Sequence, residues 1–245
     1  MLAGLPQLEA EAKRRAGRRI DRYYRDSGPL RRELYPKHLE FFRAGREHDS
    51  RLFMAGNRCG KTTAGCYETA LHATGEYPSW WEGFRFRSRG PSLLWVAGKT
   101  AKTTREILEL ELLGPPGHLG EGMIPRDRIR GTRAKPGVSD AVELVYIEHA
   151  GGAIQTLVFK SYDQGRKAFE GGKPRWILKD EEPPAEIDYE CRMRLMSTGP
   201  DDAGGLSVLT FTPLDGWTEI VEDFAQNAVN KDVLEFTQHE TGNFR

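Results

Sequence analysis

The chain has 245 residues, 36 Lys+Arg against 36 Asp+Glu, and an apolar fraction of 38%, which suits one large domain with a real core. No stretch approaches the length of a membrane helix, and the amino terminus lacks a signal peptide's apolar core. Cys59, Cys66 and Cys191 show no CxxC spacing, which argues against a zinc site and suits a reducing compartment; zero net charge leaves a nucleic-acid partner open, because charge can be unevenly distributed.

In chain order, residues 7–26 are expected to be helical and highly charged, ending at Gly28-Pro29. Lys13, Arg14, Arg15, Arg18, Arg19, Arg22 and Arg25 crowd this segment, so residues 1–28 read as a basic amino-terminal piece. Such a stripe fits a phosphate backbone, a partner subunit or a solvated helix face equally well. Residues 29–245 are expected to form the main domain. An aromatic patch with Leu34, Tyr35, Leu39, Phe41 and Phe42 comes next. Tyr35 and His38 are candidates for contact with a purine base, and plain core packing serves as well.

Residues 52–55 read as a buried strand, 62–74 as a helix and 75–91 as a loop rich in Gly, Pro, Trp and Arg. Residues 93–97 are a second strand and 103–113 a second helix. Residues 114–122 are a break. Residues 123–140 are a polar insert carrying Arg126, Arg128, Arg130, Arg133 and Lys135. Residues 142–148 and 153–160 fit a hairpin or an edge strand beside a core strand. Further short strands are expected at 176–179, 208–211 and 233–236. Apolar strands separated by helices and loops predict an α/β fold with a mostly parallel sheet covered on both faces.

The chemistry concentrates at two places. The first is the turn Ala55-Gly56-Asn57-Arg58-Cys59-Gly60-Lys61-Thr62-Thr63, between a strand and a helix. Small residues and a helix amino terminus there can surround phosphate oxygens with N–H groups. Lys61 can reach the β and γ phosphates, and the Thr62 hydroxyl can ligate Mg²⁺. Cys59 is a small turn residue rather than a nucleophile. The second place is Trp176-Ile177-Leu178-Lys179-Asp180-Glu181-Glu182-Pro183-Pro184, where a short strand delivers carboxylates at its carboxyl end, the edge at which ligands collect in an open α/β sheet. Asp180 is placed to hold Mg²⁺ and Glu181 to activate water. Arg166 and Arg58 are the candidates for stabilising charge on the transferring phosphoryl group, in cis or from a neighbouring subunit. Thr210 and Thr212, at a late strand end, are candidates for sensing the γ phosphate.

These runs, with Lys160-Ser161-Tyr162-Asp163-Gln164-Gly165-Arg166 and Leu209-Thr210-Phe211-Thr212-Pro213-Leu214-Asp215-Gly216, resemble the ATPase domain of large terminase subunits, the DNA-packaging motors of tailed bacteriophages and related prophages. The resemblance implies a RecA-like P-loop NTPase of the ASCE class, with an extra strand between the two Walker strands. It implies ATP and Mg²⁺ as ligands, Lys61 and Thr62 in Walker A, Asp180 in Walker B, Glu181 as catalytic carboxylate and Thr210 to Pro213 as coupling motif. It also implies double-stranded DNA, a portal protein, a small terminase subunit and a homo-oligomeric ring as partners. The expected location is the host bacterial cytoplasm, transiently at the procapsid portal. Where some relatives place an arginine in the loop, this chain has Asn57, followed by Arg58. Tyr35-Pro36-Lys37-His38 stands where a base-contacting glutamine is usual. The family's carboxyl-terminal nuclease domain has no room after residue 240, so no DNA cleavage is expected of this chain by itself. The alternatives are a helicase or remodelling-type DNA-dependent ATPase, which would normally carry a second RecA-like domain, or a nucleotide-gated DNA-binding assembly protein with little turnover.

Overall fold

A computed structural model describes residues 17–87, 90–138, 140–196, 204–213 and 216–227. A seven-stranded sheet organises them, in the order β1-β7-β6-β2-β5-β4-β3. The strands are β1 (Ser50–Met54), β2 (Ser92–Gly98), β3 (Ile129–Ala134), β4 (Val142–Glu148), β5 (Ile154–Ser161), β6 (Pro174–Asp180) and β7 (Leu206–Phe211). β1, β7, β6, β2 and β5 run parallel to one another, and β4 and β3 add an antiparallel edge beside β5. β7, buried along its whole length, lies between β1 and β6, the arrangement expected of a RecA-like P-loop fold with an inserted strand. Burial on both faces explains why β6 and β7 read as continuous apolar runs rather than alternating ones.

The helices are α1 (Pro36–Ala44), α2 (Lys61–Thr74), α3, α4 (Ala185–Leu195) and α5 (Glu219–Asn227). α3 runs from α-helical Ala101–Thr103 through π-helical Thr104–Glu109 to α-helical Leu110–Leu113. α2 is buried on nearly every side. Its small residues allow this: a Cβ at Gly65 would lie 2.6 Å from the Leu178 Cδ1 on β6, so the glycine lets the helix backbone approach the sheet. The opposite side of α2 meets an aromatic layer, with Tyr67 4.7 Å from Tyr24 between ring centroids and 5.9 Å from Phe42, and Phe42 in turn 4.9 Å from Trp81.

Three readings change, while the loop expected at 75–91 is found. Within 17–28, the only helical turn is Ile20–Arg22, and residues 7–16 lie outside the described residues. Tyr24 has φ 52° and is buried with Ile20 in the main core, while Arg18 pairs with Glu76 at 2.6 Å and Arg19 with Glu111. Core burial and these ion pairs outweigh helix propensity, and they join residues 17–28 to the domain rather than leaving a free basic stripe. Leu39, Phe41 and Phe42 of the aromatic patch lie on a helix, α1, started by Pro36 at a position where its missing N–H costs nothing, and Leu34 and Tyr35 precede it. The polar insert contains edge strand β3, with Arg133 paired to Glu143 on β4 at 2.8 Å. The 75–91 loop has no regular element among its described residues but is packed, with Trp81 and Phe86 buried. The strand expected at 233–236 lies outside the described residues.

Two buried ion pairs tie helices to strands. Arg51 on β1 meets Glu68 on α2 at 2.8 and 3.1 Å, and both are almost wholly buried. Lys179, the residue that interrupts the apolar run of β6, is fully buried and pairs with Asp188 on α4, which Arg192 also contacts at 2.6 Å.

Candidate functional site

The site forms at the carboxyl edge of the parallel strands, where β1 turns into α2 and where β6 and β7 end side by side. The turn closes through two left-handed residues, Arg58 (φ 63°) and Gly60 (φ 79°). Glycine adopts that conformation freely, whereas arginine is strained in it. Arg58 and Asn57 are exposed at the apex, and Ala55 and Cys59 point into the core. Gly60 caps α2, whose first N–H groups have no partner within the helix.

Two hydroxyls and a lysine connect this turn to the sheet. Lys61 Nζ donates to the Gly56 carbonyl at 2.7 Å and to Thr212 Oγ1 at 2.9 Å. Thr212 Oγ1 in turn donates to Asn57 Oδ1 at 3.0 Å. Thr62 Oγ1 donates to Asp180 Oδ1 at 2.7 Å, and Thr210 Oγ1 to the same oxygen at 2.8 Å. Sequence-distant residues therefore form two adjoining hydrogen-bonded sets, Lys61 with Thr212 and Asn57, and Thr62 with Asp180 and Thr210, joined through the neighbouring pairs Lys61-Thr62 and Thr210–Thr212 of the chain. Thr63 follows in the first turn of α2, half-buried.

The electrostatics fit an anion beside a cation. Burial lowers the Lys61 ammonium from its ordinary pKa, against the pull of Cys59, Glu181 and Asp180. Burial pushes Asp180 up to about 6, while the Thr62 and Thr210 hydroxyls pull it back. A buried carboxylate oxygen within hydrogen-bond distance of a threonine hydroxyl is the oxygen donor set of a hard divalent cation such as Mg²⁺, so these residues fit that ion. The turn and the amino terminus of α2 fit a polyphosphate next to it.

Glu181 follows Asp180 in a left-handed conformation, φ 63°, with its N–H donating to the Thr210 carbonyl at 2.7 Å. Its side chain is half-buried. Glu182 is occupied differently, accepting a hydrogen bond from Thr218.

Three candidates stand elsewhere. Arg166, on the turn Arg166–Phe169, is held by Glu190 of α4 at 3.2 Å and faces Glu170 at 3.6 Å, so within this chain its charge is engaged outside the Lys61–Asp180 group. Tyr35 and His38 are almost fully buried, which removes both from contact with a base. The His38 Nε2–H donates to the Cys59 carbonyl at 2.8 Å, which leaves Nδ1 to accept from the Tyr24 hydroxyl at 2.7 Å. The imidazole is a neutral prop under the turn. Sequence reasoning also missed Tyr162, whose hydroxyl reaches the carbonyls of Asp180 and Glu181; it stands in a quoted motif that drew attention only for its arginine.

Burial moves His38 down to about 4, with the Cys59 carbonyl working the other way, against about 6.5 in an unfolded chain. The sign follows: the neutral ring's contribution is whole above about 6.5 and is lost as the pH falls through about 4. At most about 3 kcal/mol is involved. Denaturant titrations from pH 7 to pH 4 should show a shallower acid loss in His38→Phe than in the unsubstituted chain. Parallel pH curves would refute the neutral assignment.

Comparison with known proteins gives the chain's family. The family model described as terminase large subunit, T4likevirus-type, N-terminal matches residues 52–241. The chain is 35% identical over 216 residues to the terminase large subunit of Salmonella phage P22, covering 79% of this chain and 41% of that protein. Among solved structures it is similar to the large terminase ATPase domain of Thermus phage P74-26, with 15% identity, a TM-score of 0.45, and coverage of 73% of this chain and 66% of that one. It is also similar to the large terminase of another thermophilic bacteriophage, solved in complex with ADP, with 15% identity, a TM-score of 0.46, and coverage of 84% and 44%. The chain thus spans less than half the length of the phage P22 protein. With most of its length matched by that family model, the chain belongs to the terminase large-subunit family and corresponds to its amino-terminal part.

Proposed function

We propose that this chain binds Mg²⁺–ATP in the turn before α2 and hydrolyses it to power movement of double-stranded DNA into a procapsid. The observation that carries the nucleotide site is the 2.7 Å contact between Thr62 and Asp180. It brings the phosphate-binding turn and the acidic strand end to one point, in a chain whose family packages DNA.

In this reading Lys61 exchanges its contacts with Gly56 and Thr212 for β and γ phosphate oxygens, and the N–H groups of the turn and of α2 surround the rest. Thr62 and Asp180 hold Mg²⁺, which supplies charge neutralisation at the phosphates when bound. Glu181 orients water and accepts its proton; Glu182 is the weaker choice because Thr218 already occupies it. Arg58, exposed in the turn itself, is the arginine best placed among the described residues to face the γ phosphate. Arg166 would serve only after leaving Glu190, or from a neighbouring subunit. Thr212 touches both Lys61 and Asn57 while Thr210 touches Asp180. Loss of the γ phosphate would therefore be felt at the end of β7, the step that couples hydrolysis to movement. The partners in this reading are a portal protein, a small terminase subunit and other copies of the chain in a ring, in the host cytoplasm and at the procapsid portal.

The test uses Lys61→Ala in the complete packaging assembly, with portal-bearing procapsids, DNA and the whole large subunit. Nuclease-protected DNA should fall to background, and ATP consumption with it. Packaging that persists at the unsubstituted rate would refute the reading. Turnover without any DNA uptake in the unsubstituted assembly would favour a nucleotide-gated or remodelling role.

A further inference from the structure

Glu181 is one of four non-glycine residues with positive φ among the described residues. A left-handed backbone is unfavourable for a glutamate and persists only where the surroundings hold it. Two contacts hold this one. The Glu181 N–H donates to the Thr210 carbonyl at 2.7 Å. On the other side, the Tyr162 hydroxyl lies 3.0 Å from the Glu181 carbonyl, 3.2 Å from that of Asp180 and 3.4 Å from that of Ala97. A phenol has one proton to donate, and the shortest of the three contacts is to Glu181.

Tyr162 is itself fixed. It is buried, and it begins the turn Tyr162–Gln164, which Ser161 and Gln164 close with a reciprocal capping box. Asp163 accepts from Ser161 Oγ at 2.6 Å and from the Ala101 N–H at the start of α3 at 3.0 Å. The ring lies near Phe169, 6.3 Å between centroids. A rigid turn after β5 thus delivers one hydroxyl, across the ends of β2 and β6, to the peptide that follows the metal-site aspartate.

We propose that Tyr162 is a positioning residue: by donating to the Glu181 carbonyl it holds that residue left-handed and so aims its carboxylate at the attacking water. The proposal rests on the reading of Glu181 as the water-activating group. Tyr162 touches neither nucleotide nor metal in this scheme. A carboxylate displaced by about 1 Å costs on the order of a hundredfold in rate, so the loss should fall on turnover and not on binding.

The experiment compares the unsubstituted chain, Tyr162→Phe, Glu181→Gln and the double variant, in the whole large subunit. Tyr162→Phe keeps the buried ring and removes only the hydroxyl. We expect kcat for ATP to fall at least tenfold with KM and ADP affinity within twofold. In the Glu181→Gln background the same change should cost nothing further, because the group it aims is already disabled. A crystal structure of Tyr162→Phe should show Glu181 leaving its left-handed conformation. An unchanged kcat in Tyr162→Phe beside a disabled Glu181→Gln overturns the positioning role and leaves the hydrolysis reading intact. Parallel losses of ADP affinity and kcat, or an additive loss in the double variant, also overturn it. If the unsubstituted protein fails to hydrolyse ATP, the hydrolysis reading falls. The crystal structure then decides the positioning alone, and Glu181 unmoved without the hydroxyl overturns it.

Discussion

Glu181→Gln should lower ATP turnover by about 10²- to 10⁴-fold, the usual worth of a general base, while nucleotide affinity stays within a few fold. The amide keeps the side chain's size and its place after Asp180 but cannot take a proton from water. The affinity should hold because the phosphates are assigned to Lys61 and the turn, and Mg²⁺ to Thr62 and Asp180. Glu182→Gln should leave turnover within a few fold, since Glu182 is engaged by Thr218. Single-turnover hydrolysis with equilibrium binding of ADP checks both halves. If Glu182→Gln and not Glu181→Gln proves inactive, the two carboxylates exchange roles. If neither changes the rate, water is activated elsewhere.

The second large effect concerns stability. Glu68→Ala should destabilise the domain by about 3–5 kcal/mol, because it strands the buried Arg51 guanidinium without its countercharge. Burial alone would raise the Glu68 carboxyl, but Arg51 and His72 outweigh it and hold the group below its ordinary range. Its contribution is therefore present at neutral pH and lost only as the pH falls through that depressed value. Replacing Arg51 and Glu68 together by apolar residues of similar size should cost much less than removing either alone, since no buried charge is then left unpaired. Urea unfolding of the two single variants and the double variant gives the comparison. A loss under about 1 kcal/mol for Glu68→Ala would mean that water reaches Arg51 and that the pair is not a core element.

How legible the molecule is from its sequence depends on how local each signal is. The turn from Ala55 to Thr63 and the strand end at Asp180 are contiguous runs, and each carries its chemistry in its own spacing. The inner parallel strands are legible because burial on both faces leaves short apolar runs in them, such as Trp176-Ile177-Leu178 in β6. What escaped is what depends on distant partners. His38 reads as a base-contacting candidate until the Cys59 carbonyl and Tyr24 hydroxyl are seen to use both ring nitrogens. Lys179 reads as a blemish in β6 until Asp188, nine residues on and across the Pro183-Pro184 turn, is found beside it. Residues 17–28 show helical charge patterning, yet Tyr24 is drawn into the aromatic layer over α2 and breaks the period. Tyr162 has no sequence signal for its role, because a phenol aimed at a carbonyl leaves no spacing to read.

The most direct measurement is a crystal structure of the protein with Mg²⁺ and a hydrolysis-resistant ATP analogue. The γ phosphate should lie against Lys61, with the metal touching Thr62 Oγ1 and reaching Asp180 directly or through one water. A triphosphate bound away from the turn, or a metal with neither Thr62 nor Asp180 in its shell, would contradict the assignment of this edge of the sheet as the nucleotide site.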